Sequence, residues 1–256
     1  GALVEASQRE RIENSLCDLY TDLNIQGEVK WTKVGSGNER QFKSLMDRFF
    51  DFIAAGGIKV RIMFLQNMYS AQDLEDYHIE TRYYILYYHF IKHAFGLQYC
   101  NSDANSNVFI QLLFDEFPNQ KERAEEFKEY LGSLNQFPHF RRSRVQIVKD
   151  DIAEINSRQH MIAQCLDVIL GSIQFRLNNK HLEKPDGAAR RGKRTISKEK
   201  VYKHINARIH QIYPNFNIGI STGQPEADSR WKHPYRHWRF IPTNARIDPS
   251  KGKKAN

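Results

Sequence analysis

Cysteine is scarce in this chain of 256 residues. Cys17, Cys100 and Cys165 lie far apart, are odd in number and form no C-x-x-C pair. That usage argues against a zinc knuckle or a disulfide framework and fits a reducing cytoplasm. No apolar run approaches the roughly 18 residues of a membrane span, and the opening Gly1-Ala2-Leu3-Val4-Glu5 has no charged-then-apolar signal segment. The expectation is a cytoplasmic protein without a membrane partner. Internal repeats are absent too. What is present is globular: 40% hydrophobic and 27% charged residues, enough for one large domain or a domain plus an appendage. The net charge of +8 and pI near 9.3 favour an anionic partner, with nucleic acid first. The alternative is a basic protein without such a partner.

Strand and helix patterns alternate along the chain. Ser7-x-x-Glu10 has the form of a capping box before a helix bearing Ile12, Leu16, Leu19 and Leu23. Residues 28–33 follow as a short extended segment. Phe42, Leu45, Met46, Phe49, Phe50 and Ile53 mark a second helix, stopped by Gly56-Gly57. Ile58, Val60, Ile62 and Phe64 alternate with Lys59, Arg61 and Met63, the pattern of a half-buried strand. An aromatic-rich helix is expected over 77–95, closed by Gly96. Residues 108–114 form one near-continuous apolar strand, as when both faces are covered. A helix from Pro118 to about Leu131 and a strand over 144–148 complete the alternation, which predicts an α/β architecture.

Residues 157–173 read as one helix. At about 100° per residue, His160, Gln164, Asp167 and Gly171 share a narrow stripe opposite Ile162, Leu166, Ile169 and Ile173. Solvated faces usually carry Lys and Glu, and Asp is a poor interior helix residue. Asp167, the lone carboxylate of this run, therefore calls for a reason. Asp115 directly follows the apolar strand, and ligands of α/β sheets gather at carboxyl ends of strands. Two such carboxylates suit Mg²⁺ or Mn²⁺, and paired ions about 4 Å apart support phosphodiester cleavage. The competing reading of Asp115 is a turn or cap acid before the Pro118 helix.

Glu28-Val29-Lys30-Trp31-Thr32-Lys33, the strand ending at Asp115, and Ser157-x-x-His160-x-x-x-Gln164-x-x-Asp167-x-x-x-Gly171 together resemble the bacterial domain-of-unknown-function family numbered thirty-eight hundred. The resemblance spans roughly 1–179. It implies a ribonuclease H-like fold, with a mixed central sheet flanked by helices. By resemblance Asp115, Asp167 and Glu28 would be the catalytic, metal-binding acids. Lys30, Lys33, Ser157, His160 and Gln164 would contact substrate or position water. The family opens on a strand carrying Asp-Glu-Ser; residues 1–4 look instead like the end of the second strand, so the expectation is a trimmed chain lacking the first strand and its acid.

Beyond the resemblance, 180–196 is expected to be a basic, mobile linker and 197–256 a small helical and irregular extension. The extension holds a helix from Ser197 to about Ile212, with Trp231, Tyr235 and Trp238 interleaved among Lys232, Arg236 and Arg239. Basic residues there would neutralise phosphates and aromatics would stack on bases. Two functions are therefore expected. One is a metal-dependent nuclease acting on DNA or RNA, as part of a multi-component system such as phage defence. The other is a catalytically inactive nucleic-acid-binding or scaffold protein on the same fold.

Overall fold

The apolar spacing at 42–53 produces a strongly amphipathic helix, in which Phe42, Leu45, Met46, Phe49, Phe50 and Ile53 are all buried. Burial of each such side chain contributes about 1.5–3 kcal/mol. The computed structural model describes residues 1–72, 81–100, 106–115, 117 and 121–251, without the side chains of Lys121 and Glu122. They divide into two compact units, each made of two chain segments: 1–60 with 156–219, and 61–155 with 220–256. The units cut across the 1–179, 180–196 and 197–256 segments that composition suggests.

The first unit is mainly helical. Strand β1 (Ala2–Val4) pairs antiparallel with the start of β2 (Ile58–Leu65), Ala2 facing Val60. Helix α1 (Ala6–Asp22) buries Ile12 and Leu16 and packs on α2 (Glu39–Ala54). The expected Ser7 capping box does not form. The N-cap is Glu5, and no side chain caps the helix. Helix α6 (Met161–Leu177) and helix α7 (Lys193–Ile212) complete this unit. Val201, Ile205 and Ile209 are buried as expected, and α7 packs on α2 and α6. It starts at Lys193, four residues inside the expected linker.

In the second unit β2 continues and neighbours β8 (Tyr235–Phe240). A long-range antiparallel pair joins β3 (Tyr69–Ala71) to β9 (Ala245–Ile247). The expected half-buried alternation of β2 fails at Arg61, which is buried. Helix α3 (Arg82–His93) and helix α4 (Lys121–Ser133) pack together. The left-handed Gly56 and Gly96 follow α2 and α3, as chain stops require. Residues 77–80 of the expected aromatic helix, and Pro118, lie outside the described residues.

The single strand expected over 108–114 is instead two. Strand β4 (Val108–Phe109) pairs in parallel with β6 (Val145–Gln146), and β5 (Leu112–Phe114) with β7 (Ile152–Glu154). The short helix α5 (Pro138–Arg142) precedes β6, and α8 (Ser229–Lys232) precedes β8. Phe109 is 64% exposed, so the apolar run is not covered on both faces. The fold is mixed α/β, with small sheets flanked by helices. Among the described residues no helix is long and apolar enough to cross a membrane. Cys17 and Cys165 are free thiols; burial pushes the Cys165 thiol well up.

Candidate functional site

The unusual stripe of α6 is a receptor for residues 28–33. Val29 N–H donates to Gln164 Oε1 at 2.7 Å, and Trp31 N–H donates to Asp167 Oδ2 at 2.8 Å. Gln164, which is buried, also donates from Nε2 to the Arg158 carbonyl at 3.0 Å. One turn beyond Asp167, Gly171 leaves room for the Trp31 side chain. A Cβ there would overlap the indole. Trp31 is buried against Phe175, ring centroids 5.4 Å apart. The amide, the short acid and the missing side chain thus satisfy two backbone donors and seat one large ring. The docked segment is extended up to Lys30 and then turns as a short 3₁₀ helix, Trp31–Lys33.

The start of this helix departs from expectation. Ser157–Gln159 is a 3₁₀ turn, held by Asn156 accepting from Arg158 N–H. His160 is the N-cap of α6 rather than a member of its stripe. Its own side chain makes no cap; Glu13 on α1 accepts from Met161 N–H at 2.7 Å. Carboxylates are favoured at helix N-termini, where backbone donors lack partners. His160 Nδ1 lies 3.9 Å from the same Glu13.

The proposed acids occupy different settings. Glu28 is half-buried and ion-paired to Lys30 at 2.9 Å, with Arg158 at 3.8 Å. Its Oε1 is buried and accepts no well-directed hydrogen bond. Asp167 is half-buried with one oxygen committed to Trp31. Asp115 is exposed directly after β5, as expected, but belongs to the other compact unit. Among the described residues, no three His, Cys, Asp or Glu side chains come together as a metal site. Thus Glu28, Lys30, Lys33, Ser157, His160, Gln164 and Asp167 share the first unit, without a three-ligand set.

Comparison with protein-family models, curated proteins and solved structures gives no match.

Around Trp31 lies a concentration of cations. Lys198 Nζ sits 5.2 Å from the centre of the indole, and Arg194, one turn earlier on α7, donates to the Thr32 carbonyl. Burial, then the positive charges of Arg194 and Lys180, hold the Lys198 ammonium below its ordinary pKa. Eleven Lys and Arg stand against three acids between positions 176 and 208. That balance of +8 equals the charge of the whole chain; the remaining 27 cations and 27 acids cancel. Some of these cations are neutralised: Arg191 and Lys203 by Glu199, Lys200 by Glu39 and Arg208 by Asp47 and Asp51. Lys180, Lys184, Arg190, Lys193, Arg194 and Lys198 make no ion pair among the described residues. Lys184 and Arg190 line an open groove of about 620 Å³ with Arg191, Leu182 and Ile196. Composition alone marked these residues as basic. Their meeting with Trp31 depends on the α7 register and has no local sequence signal.

Proposed function

We propose that this chain binds nucleic acid through the basic face of its first unit. The supporting observation is the gathering of the entire net charge into 176–208, with six cations there lacking acidic partners. A phosphate backbone is the ligand class that exploits such a surface, because each neutralised phosphate releases condensed counterions. The resemblance to family thirty-eight hundred, with its ribonuclease H-like fold, points to the same ligand class.

A second reading is Mg²⁺- or Mn²⁺-dependent hydrolysis through the first unit's Glu28 and Asp167, with Lys30, Lys33, Ser157, His160 and Gln164 near substrate. The half-buried carboxylates of Glu28 and Asp167 in the first unit favour it. The commitment of Asp167 to the Trp31 N–H weighs against it, so binding is the better-supported function.

The test is anisotropy of a labelled oligonucleotide across a salt series. The expected slope of log affinity against log salt is about −0.7 to −0.9 per phosphate contacted. Charge reversal at Lys180, Arg194 and Lys198 should weaken binding at least tenfold and flatten that slope, with EDTA without effect. Salt-insensitive binding, or none, overturns the reading. Divalent-dependent cleavage abolished by Asp167→Asn establishes the second one; Asn still accepts the Trp31 N–H, so that variant should fold.

A further inference from the structure

The second unit carries a cluster of rings outside that basic face. His89 and His93 are one turn apart on α3, and their rings stack at 5.9 Å with planes 16° apart. Trp238 and Phe240, two residues apart on β8 and so on one face of the strand, complete the cluster. His89 lies 5.5 Å from Phe240, His93 6.1 Å from Trp238, and Trp238 5.5 Å from Phe240, between ring centres. All four are half-buried, whereas Tyr235 and His237 on the other face of β8 are buried. Neither imidazole of His89 or His93 has a hydrogen-bond partner among the described residues. Burial, and the charge of Lys92, hold both below the ordinary histidine pKa, His93 at about 4, so both rings are neutral at pH 7.

The surrounding cations are unneutralised. Lys92 Nζ lies 3.6 Å from the Phe137 ring centre, and Arg230 donates to Gln224. Neither pairs with a carboxylate among the described residues. A metal ion is a poor occupant, because two imidazoles beside Lys92 and Arg230 offer too few ligands and the wrong charge. Neutral ring faces edged by free cations match unpaired bases with their phosphates.

We propose that His89, His93, Trp238 and Phe240 form a stacking platform for the bases of single-stranded nucleic acid. This rests on the nucleic-acid reading above and sharpens it, since a closed duplex hides its base faces while a single strand presents them. The open imidazole nitrogens add hydrogen bonds to base edges.

The test compares the full chain with Trp238→Ala, Trp238→Phe and His93→Ala, each checked for folding by circular dichroism. The probes are an oligo-dT of about 15 nucleotides and a hairpin duplex. Oligo-dT should quench tryptophan fluorescence. Trp238→Ala and His93→Ala should each weaken its binding roughly five- to hundredfold, Trp238→Phe should retain most of it, and duplex affinity should not move. Duplex binding with oligo-dT affinity unchanged in both alanine variants overturns the platform and leaves the basic face standing. Equal losses on both probes also overturn it. Oligo-dT binding that survives charge reversal at Lys180, Arg194 and Lys198 but fails in Trp238→Ala supports the platform and overturns the basic face. Failure to bind either probe overturns both.

Discussion

Gly171 and Trp31 are a size-matched pair, one residue supplying volume and the other its absence. Alanine at 171 would gain about 1 kcal/mol in helix propensity. Overpacking against a buried indole costs about 1–3 kcal/mol, and the backbone of the docked segment is pinned at Val29 and Trp31, so the ring has little room to retreat. Gly171→Ala is therefore expected to destabilise the protein, seen as a lower urea midpoint. In a Trp31→Ala background the same change should become neutral or stabilising. Equal effects in the two backgrounds would refute the pairing. Asp167 was visible in the sequence as an acid out of place, because Asp is a poor helix former. Its partner was not visible: a backbone N–H leaves no mark in composition, and Trp31 lies 136 positions away.

At the scale of elements, Arg61 ties β2 to the end of α3 and to α8 with the residues just after it. Its guanidinium donates to the carbonyls of Ala94, Arg230, His233 and Pro234, and lies over the Phe95 ring at 5.8 Å. Removing it leaves the buried Ala94 carbonyl and three part-buried ones without this donor, and a buried acceptor left unsatisfied costs about 1–3 kcal/mol. Arg61→Met should cost about 3–5 kcal/mol and make the 220–240 region a preferred site of limited proteolysis. A protease pattern unchanged from the parent chain would show that the carbonyl cluster holds without it. Regular helices were the legible part of the fold. The apolar positions of α2 and α7 are buried as their spacing requires. Strands were less legible. The run over 108–114 breaks at Ile110-Gln111 because its halves pair with different strands, which residue-level hydrophobicity does not encode. Arg61 broke the strand pattern because its burial depends on carbonyls from remote segments. Likewise Glu13 caps α6 from 148 positions away, a partner that no local pattern marks.

For the whole molecule, several imidazoles of the second unit are held neutral. Burial lowers the pKa of His89, His93 and His233, that of His93 to about 4. The unfolded chain binds these protons first, near pH 6.5. Stability is thus fully present above about pH 6.5 and is lost progressively as pH falls toward 4. His93 is half exposed to solvent, so the loss attributable to it is on the order of 1 kcal/mol once screening is allowed for. Urea unfolding at pH 7 and pH 5 should show that decrease, and His93→Gln should reduce it. An unchanged pH dependence in the variant would remove His93 as a source.

Both units are assembled from segments separated in the chain, 1–60 with 156–219 and 61–155 with 220–256. During synthesis, α1 and α2 emerge well before the α6 and α7 helices that cover them. With translation at about 5–20 residues per second, the apolar face of α2 waits several seconds or more without its partners. The first unit cannot close until α7 has left the ribosome, nor the second until β8 and β9 have. Late closure lengthens the interval in which these faces are open to chaperones and to aggregation, and the contacts of residues 28–33 must wait for α6.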